Sequence, residues 1–433
     1  MTEAFAYRRR EIGSRSNLSQ RVNIFQDWWL QSFGYALAAL YLTYFVILYR
    51  AGSWIVDGAG RPIYTDFACA WTAALQATSG HAASLYDPAK FVEIQAAVVG
   101  PSDYIYPNWP YPPTFLLILA PLAALEYSHA LIVWNLLTLL GCVAVVYLIV
   151  RRRAAIALVL AAPFSAWNLL AAHNGFLTAV FLGGSLLLLE RRPVLAGVFL
   201  GLLTYKPQFG ILFPVALLAV GEWRAIAGCA ITVVLLAVAA LAAFGPDVWI
   251  AFPRELVAQA GLNFPADPDS NWAYLQTAYG LVRSLRGGAN LAWLVQGLIT
   301  LCTAVIVWVV WRSRISYDLK AAILSAAALL ATPYAFAYDT AAIVIPAAFL
   351  AKDQLNRGLL RGEKAMWIVL FAAPLAVLVT LGDNIGGPTF GGTPVSLFSS
   401  ALLFLVILRR VIEYSDEQNI SCDRPGLTPA ALQ

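Results

Sequence analysis

The sequence predicts an all-α polytopic membrane bundle of about twelve transmembrane helices with two long outer loops, and three observations lead there. Of 433 residues, 60% are hydrophobic and only 12% charged, against roughly 25% charged in a soluble domain. Apolar runs recur from residue 33 to residue 409 with short polar breaks. Basic residues crowd into alternate breaks, which is the mark of cytoplasmic loops. Three segments follow: a cytoplasmic N-terminal stretch at 1–32, a membrane domain at 33–412 and a polar cytoplasmic tail at 413–433.

Residues 1–32 carry arginines but no apolar stretch followed by a small-residue cleavage site. The first run, 33–49, therefore reads as an anchor that stays. Residues 50–113 form the first outer loop, ending in Tyr104-Ile-Tyr-Pro-Asn-Trp-Pro-Tyr-Pro-Pro113. Its rings suit the headgroup level, and its prolines prevent a regular helix. The apolar piece 114–125 contains Pro121 and is short for a crossing of ~20 residues, so it reads as re-entrant or interfacial. If it crossed, every later loop would change sides. Spans then run near 128–150, 154–171, 176–189, 194–205, 208–220 and 225–244; the second outer loop takes 245–289; and spans resume near 290–311, 319–333, 340–351, 365–381 and 394–409.

With the N-terminus inside, the cytoplasmic side collects Arg8 to Arg21, Arg151 to Arg153, Arg191 and Arg192, Arg224, Arg312 to Lys320, Lys352 to Lys364, and Arg409 to Arg424. That is 21 of the 28 basic residues. The net charge of +4 is thus a topology signal and not a nucleic-acid footprint; no nucleic-acid partner is expected, and membrane lipids are. The cysteines Cys69, Cys142, Cys229, Cys302 and Cys422 lack metal-ligand spacing and read as packing residues. His81 and His129 likewise give His173 no ligand partners, so no metal site is assigned.

The strong polar interruptions fall on one side. Asp66 follows the first span and precedes a stretch, Phe67 to Gln76, able to form a short helix. It is either a helix cap or a general base for an acceptor hydroxyl. Lys206 sits at a break before Pro207 and Gln208; it either snorkels to the interface or meets an anion such as phosphate. Its position against the positive-inside bias favours a functional reading. His173-Asn174-Gly175 makes a turn with its own backbone logic, or offers hydrogen bonds to sugar or phosphate. Asp339, near Tyr334 and Tyr338, caps the next helix or acts as a membrane-edge carboxylate. Arg254, Arg283 and Arg286 in the second loop are solvated charges or phosphate contacts. No Walker loop, nucleophile elbow or HExxH is present.

The ordered series of Asp66-Phe67, Gly80 to Asp87-Pro88, Tyr111-Pro-Pro113, Ala196-Gly197 through Tyr205-Lys206-Pro207-Gln208, Glu222-Trp223-Arg224 and Pro333-Tyr334 to Tyr338-Asp339 resembles family 87 glycosyltransferases across roughly residues 60–350. The resemblance implies a GT-C-like membrane enzyme at the outer face of the bacterial inner membrane. Such an enzyme takes a sugar, mannose favoured, from a polyprenyl-phosphate carrier and passes it with inversion to a lipid or glycan acceptor. It puts the base on Asp66; Lys206 and Arg254 are the expected donor-phosphate contacts, with His173, Asn174, Gln208, Tyr334 and Asp339 in support. Where characterised members tend to carry Trp and His in the late motif, this chain has Phe336, Tyr338 and Asp339. A divalent cation shared by Asp66 and Asp339 is a further option if the two lie close. The competing classes are a transporter or flippase, for which neither an inverted repeat nor paired midplane charges are evident, and a glycan ligase or inactive scaffold.

Overall fold

A computed structural model describes residues 28–100, 105, 108–263, 275–380 and 394–422. Much of the expected N-terminal segment, parts of both outer loops and the end of the tail lie outside these residues. The described chain is helical, with only isolated bridges pairing Trp54 with Val56 and Val56 with Pro62.

The helices are α1 (Trp28–Arg50), α2 (Asp66–Thr78), α3 (Pro88–Val99), α4 (Pro113–Leu119), α5 (Tyr127–Val150), α6 (Ala154–Ala161), α7 (Pro163–Ala171), α8 (Gly175–Leu189), α9 (Pro193–Leu202), α10 (Phe213–Val220), α11 (Trp223–Phe244) and α12 (Asp247–Asn263). There follow α13 (Ala278–Ser284), α14 (Ala289–Arg312), α15 (Tyr317–Ala331), α16 (Val344–Arg357), α17 (Glu363–Thr380) and α18 (Val395–Cys422). Short 3-10 turns lie between, at Ala82–Tyr86, Ala120–Ala124, Leu203–Tyr205, Pro207–Gly210 and Ala337–Ile343.

Among the described residues five helices, within α1, α5, α11, α14 and α18, are long and apolar enough to cross a membrane. The expected span 154–171 is two helices bent by 58°. Pro163 opens α7, and because it lacks an N–H and its ring clashes with the preceding turn, the first helix cannot run straight through it. The pair counts as a sixth span if it crosses as one unit. Other expected spans are shorter: α8 and α15 have 15 residues each, which at 1.5 Å per residue reach only ~22 Å. The piece at 114–125 forms α4 and a 3-10 turn that contains Pro121 and buries Phe115, Leu116, Leu119 and Leu122.

Burial sorts the helices into two classes. The alanine-rich α15 is enclosed along its length, with Leu319 and every residue from Ala321 to Ala331 buried, whereas α11 and α14 expose a long series of Leu, Ile and Val side chains. Exposed apolar surface on that scale is what lipid, not water, would cover.

Small residues set a close helix crossing between α9 and α11. A Cβ at Gly197 would strike the Ala225 carbonyl, one at Gly201 would meet the Thr232 side chain at 2.6 Å, and one at Gly228 would meet the Val194 carbonyl at 2.5 Å. The contacts advance in the same direction along both helices, so the two run parallel and begin at the same end. This is the small-xxx-small packing of membrane helices, in which absent side chains admit backbone contact.

At the end of the bundle away from the polar breaks, Arg410 of α18 is fully buried (0% exposed). Its Nε donates to Asp353 Oδ2 at 2.6 Å, its Nη1 to both Glu363 oxygens at 2.7 Å, and its Nη2 to the Gly358 carbonyl at 2.6 Å. One guanidinium thereby joins α16, α17 and α18. Counted by sequence only as one of the cytoplasmic basic residues, it is a buried structural ion pair.

Candidate active site

Three breaks between helices meet at one end of the bundle: the turn from α7 to α8, the break from α9 to α10, and the segment from α15 to α16. The start of α2 lies beside them.

The first break is built around carbonyls that α7 leaves free at its end. Ala172 takes a left-handed conformation (φ 51°), and side chains from elsewhere satisfy the exposed oxygens. Trp54 Nε1 donates to the Leu170 carbonyl at 3.1 Å, Asn135 Nδ2 to Leu169 at 3.1 Å, and Trp134 Nε1 to His173 at 3.3 Å. Asn168 Oδ1 accepts from the Gly175 N–H at 2.8 Å. The glycine of the Asn-Gly pair serves a close approach, since a Cβ at Gly175 would strike the Tyr338 carbonyl. That approach lays the His173 ring on Tyr338, with centroids 3.6 Å apart and planes at 17°.

The second break holds Lys206. Tyr205, just before it, donates its hydroxyl to the Asn174 carbonyl at 3.1 Å, lies 2.7 Å from the Thr178 hydroxyl and stacks on Phe115 at 4.6 Å. The residue that follows is thus fixed relative to the His173-Asn174 turn. Lys206 does not snorkel outward: it is 5% exposed, and its Nζ reaches Asp339 Oδ1 at 2.5 Å. It also lies 5.0 Å from the centre of the Tyr338 ring and 5.8 Å from that of Tyr111, within range of cation–π attraction.

The third break holds Asp339, 1% exposed. Its Oδ2 accepts from the Phe336 N–H at 3.0 Å while Oδ1 takes the ammonium. Asp339 is thus the third residue of the 3-10 turn that Phe336 caps and returns a bond to that cap residue, so it does not cap a helix beginning at Thr340; it is a buried carboxylate.

Asp66 is the first residue of α2; the cap position belongs to Thr65, whose side chain bonds elsewhere. Thr65 Oγ1 lies 3.0 Å from the Tyr127 hydroxyl, which donates to the Ile63 carbonyl at 3.0 Å, and Phe67 packs on Tyr127 and Trp134. So α5 pins the backbone on both sides of Asp66, while no described protein group donates to its carboxylate. The cap reading of Asp66 fails for that reason. Asp66 is half-buried. Burial pushes its carboxyl up to about 6; the Lys206 charge opposes this, and the Asp339 charge adds to it. The three charges therefore act on one another.

His173 is held neutral: burial and the nearby Lys206 charge push its imidazole well below the ordinary range. Its Nδ1 lies 2.9 Å from Asn174 Oδ1 and its Nε2 3.4 Å from the Tyr111 hydroxyl, which accepts from Asn174 Nδ2 at 2.9 Å. Tyr334 joins the rim through Phe336, ring centres 4.9 Å apart, and Phe336 stacks on Tyr338 at 5.5 Å. Gln208 is half-buried in the turn after Lys206, and Arg254 is exposed on α12. Neither has a described contact with the cluster. Among the described residues no three of His, Cys, Asp and Glu converge as metal ligands.

The structure thus joins Asp66, His173, Asn174, Lys206 and Asp339, and adds residues the sequence reading did not assign: Tyr111, Tyr127, Tyr205 and Tyr338. Their shared signal is position, since each tyrosine stands within a few residues of a helix break. The arrangement pairs an unbonded carboxylate with a buried cation and an aromatic wall, which suits proton removal next to a developing negative charge.

The sequence profile of glycosyltransferase family 87 matches residues 109–333, just over half of the chain. The chain belongs to glycosyltransferase family 87. It is therefore an enzyme that joins a sugar donor to an acceptor. The match takes in Tyr111, His173, Asn174, Lys206, Gln208 and Arg254 and stops short of Asp66, Tyr334 and Asp339, so it is narrower than the resemblance over 60–350. No curated protein and no solved structure matches this family 87 chain.

Proposed function

We propose that this family 87 member is an inverting glycosyltransferase, moving a hexose or pentose, mannose favoured, from a polyprenyl-phosphate carrier to a lipid or glycan acceptor. In this reading it works at the outer, periplasmic face of a bacterial inner membrane. Its dozen apolar segments, within 33–412, make a GT-C-like bundle between two cytoplasmic ends; α4 stays re-entrant, and the loops at 50–113 and 245–289 face outward.

The observation that carries the proposal is the Asp66 carboxylate, to which none of the described residues donates a hydrogen bond, beside the charge of a buried Lys206. The acceptor hydroxyl attacks the anomeric carbon and gives its proton to Asp66. The new C–O bond forms as the bond from the anomeric carbon to phosphate oxygen breaks on the opposite face. The departing phosphate gains a second negative charge, which Lys206, shared with Asp339, stabilises. A phosphate leaves without protonation, so the neutral His173 has no acid role; with Asn174 and Tyr111 it shapes the wall. Gln208, Tyr334 and Arg254 complete the proposed donor site, Arg254 from the helix whose Phe252 packs on Tyr86 at 5.7 Å, the residue that bonds the Tyr111 carbonyl at 2.8 Å.

The test is incubation of purified protein with a panel of polyprenyl-phosphate sugars and lipid acceptors, with Asp66→Asn alongside. Transfer by the wild type and none by the folded variant is expected; full transfer by Asp66→Asn sinks the base assignment.

A further inference from the structure

A groove of about 410 Å³ opens at the far end of α9 from Lys206, lined by Arg192, Pro193, Val194, Leu195, Val198 and Arg224. The parallel α9–α11 crossing brings its two arginines together, since Arg192 precedes α9 and Arg224 lies in the first turn of α11. Both are exposed, and among the described residues neither forms an ion pair. Between them the wall is apolar: Val194 and Leu195 are 55% and 38% exposed. Beyond the groove, α11 continues as a stripe of exposed Ile231, Val234, Leu235 and Val238, while Trp223 stands exposed at its start as an interfacial ring does.

We propose that this groove binds an anionic phospholipid, its phosphate between Arg192 and Arg224 and an acyl chain along α11. Charge complementarity selects an anion, and the apolar wall continuing into a lipid-facing stripe selects an amphiphile over a free phosphate ion. Basic pockets between helices at the cytoplasmic leaflet take such headgroups, and the charge bias of the sequence assigns this end to that leaflet. The site is separate from the Asp66 cluster and does not depend on the proposed reaction.

The test is native mass spectrometry of the full chain released from detergent micelles, titrated with phosphatidylglycerol, phosphatidylcholine or inorganic phosphate. Phosphatidylglycerol is expected to be retained about tenfold better than phosphatidylcholine, to lose about tenfold in Arg192→Gln/Arg224→Gln, and to keep most of its binding in Arg192→Lys/Arg224→Lys. Val198→Trp should block the lipid, with thermal midpoints confirming that every variant is folded. Equal retention of the two lipids, or phosphatidylglycerol binding indifferent to the Gln pair, overturns the proposal. Phosphatidylglycerol binding displaced by inorganic phosphate and untouched by Val198→Trp overturns it in favour of a simple anion site.

Discussion

Asp66 and Asp339 are the same residue type placed to opposite ends: the Asp339 carboxylate is bonded on both oxygens, whereas that of Asp66 has no donor among the described residues. Substituting Asp66 by Asn should lower transfer by roughly 10²–10⁴-fold with the thermal midpoint little changed, as measured by radiolabelled sugar transfer. Because its carboxyl is raised to about 6, kcat/KM should fall as pH drops through about 6, and that limb should vanish in the residual activity of Asp66→Asn. The sign for stability is the reverse: between the usual carboxylate value and about 6 the folded protein binds this proton and the unfolded chain does not, so the contribution declines as pH rises. Asp339→Asn strands a buried ammonium and should cost about 3–5 kcal/mol, whereas Lys206→Met with Asp339→Leu should restore much of the stability but no transfer; denaturation midpoints read both. Sequence made these residues visible because charge is rare in so apolar a chain. Which of them would pair was not visible, since residues 206 and 339 meet only when two distant breaks fold to the same place.

Helix existence was legible from apolar runs, and two breaks from Pro121 and Pro207, whereas the break at Pro163 falls inside 154–171, which reads by sequence as one span. Other ends were not. Ala172 adopts a left-handed turn that glycine would take more readily, while the glycine three positions later is needed for backbone contact. The break at 337–343, too, is a 3-10 turn where a regular helix from about 340 was expected, because Asp339 bonds back to Phe336 as well as across to Lys206. Gly197 and Gly201 carry no polarity and so drew notice only as part of a motif, yet they decide the α9–α11 crossing. Gly201→Leu should force these helices apart and lower stability by about 1–3 kcal/mol or more, seen as a reduced thermal midpoint, while an exposed α11 change such as Leu235→Ile should do little.

For the whole molecule, the all-helical membrane class followed directly from composition, whereas twelve full crossings did not follow from helix length: the enclosed helices are short and owe their place to packing. The family match reaches the cation and the His173-Asn174 turn but not Asp66, so it is the folded arrangement that brings the proposed base to them. Arg410→Met should cost about 3–5 kcal/mol by leaving the buried Glu363 without its cation and Asp353 with the more distant Arg357 alone, an effect that a second change of both acids to apolar residues should reverse; urea unfolding in micelles would register each step. Since synthesis runs from the N-terminus at about 5–20 residues per second, both acids leave the ribosome several seconds before Arg410 does. Helix α18 therefore closes a latch: a chain stopped short of it keeps Asp353 with Arg357 and Glu363 with the Leu360 N–H, but lacks the cation that ties α16 to α17.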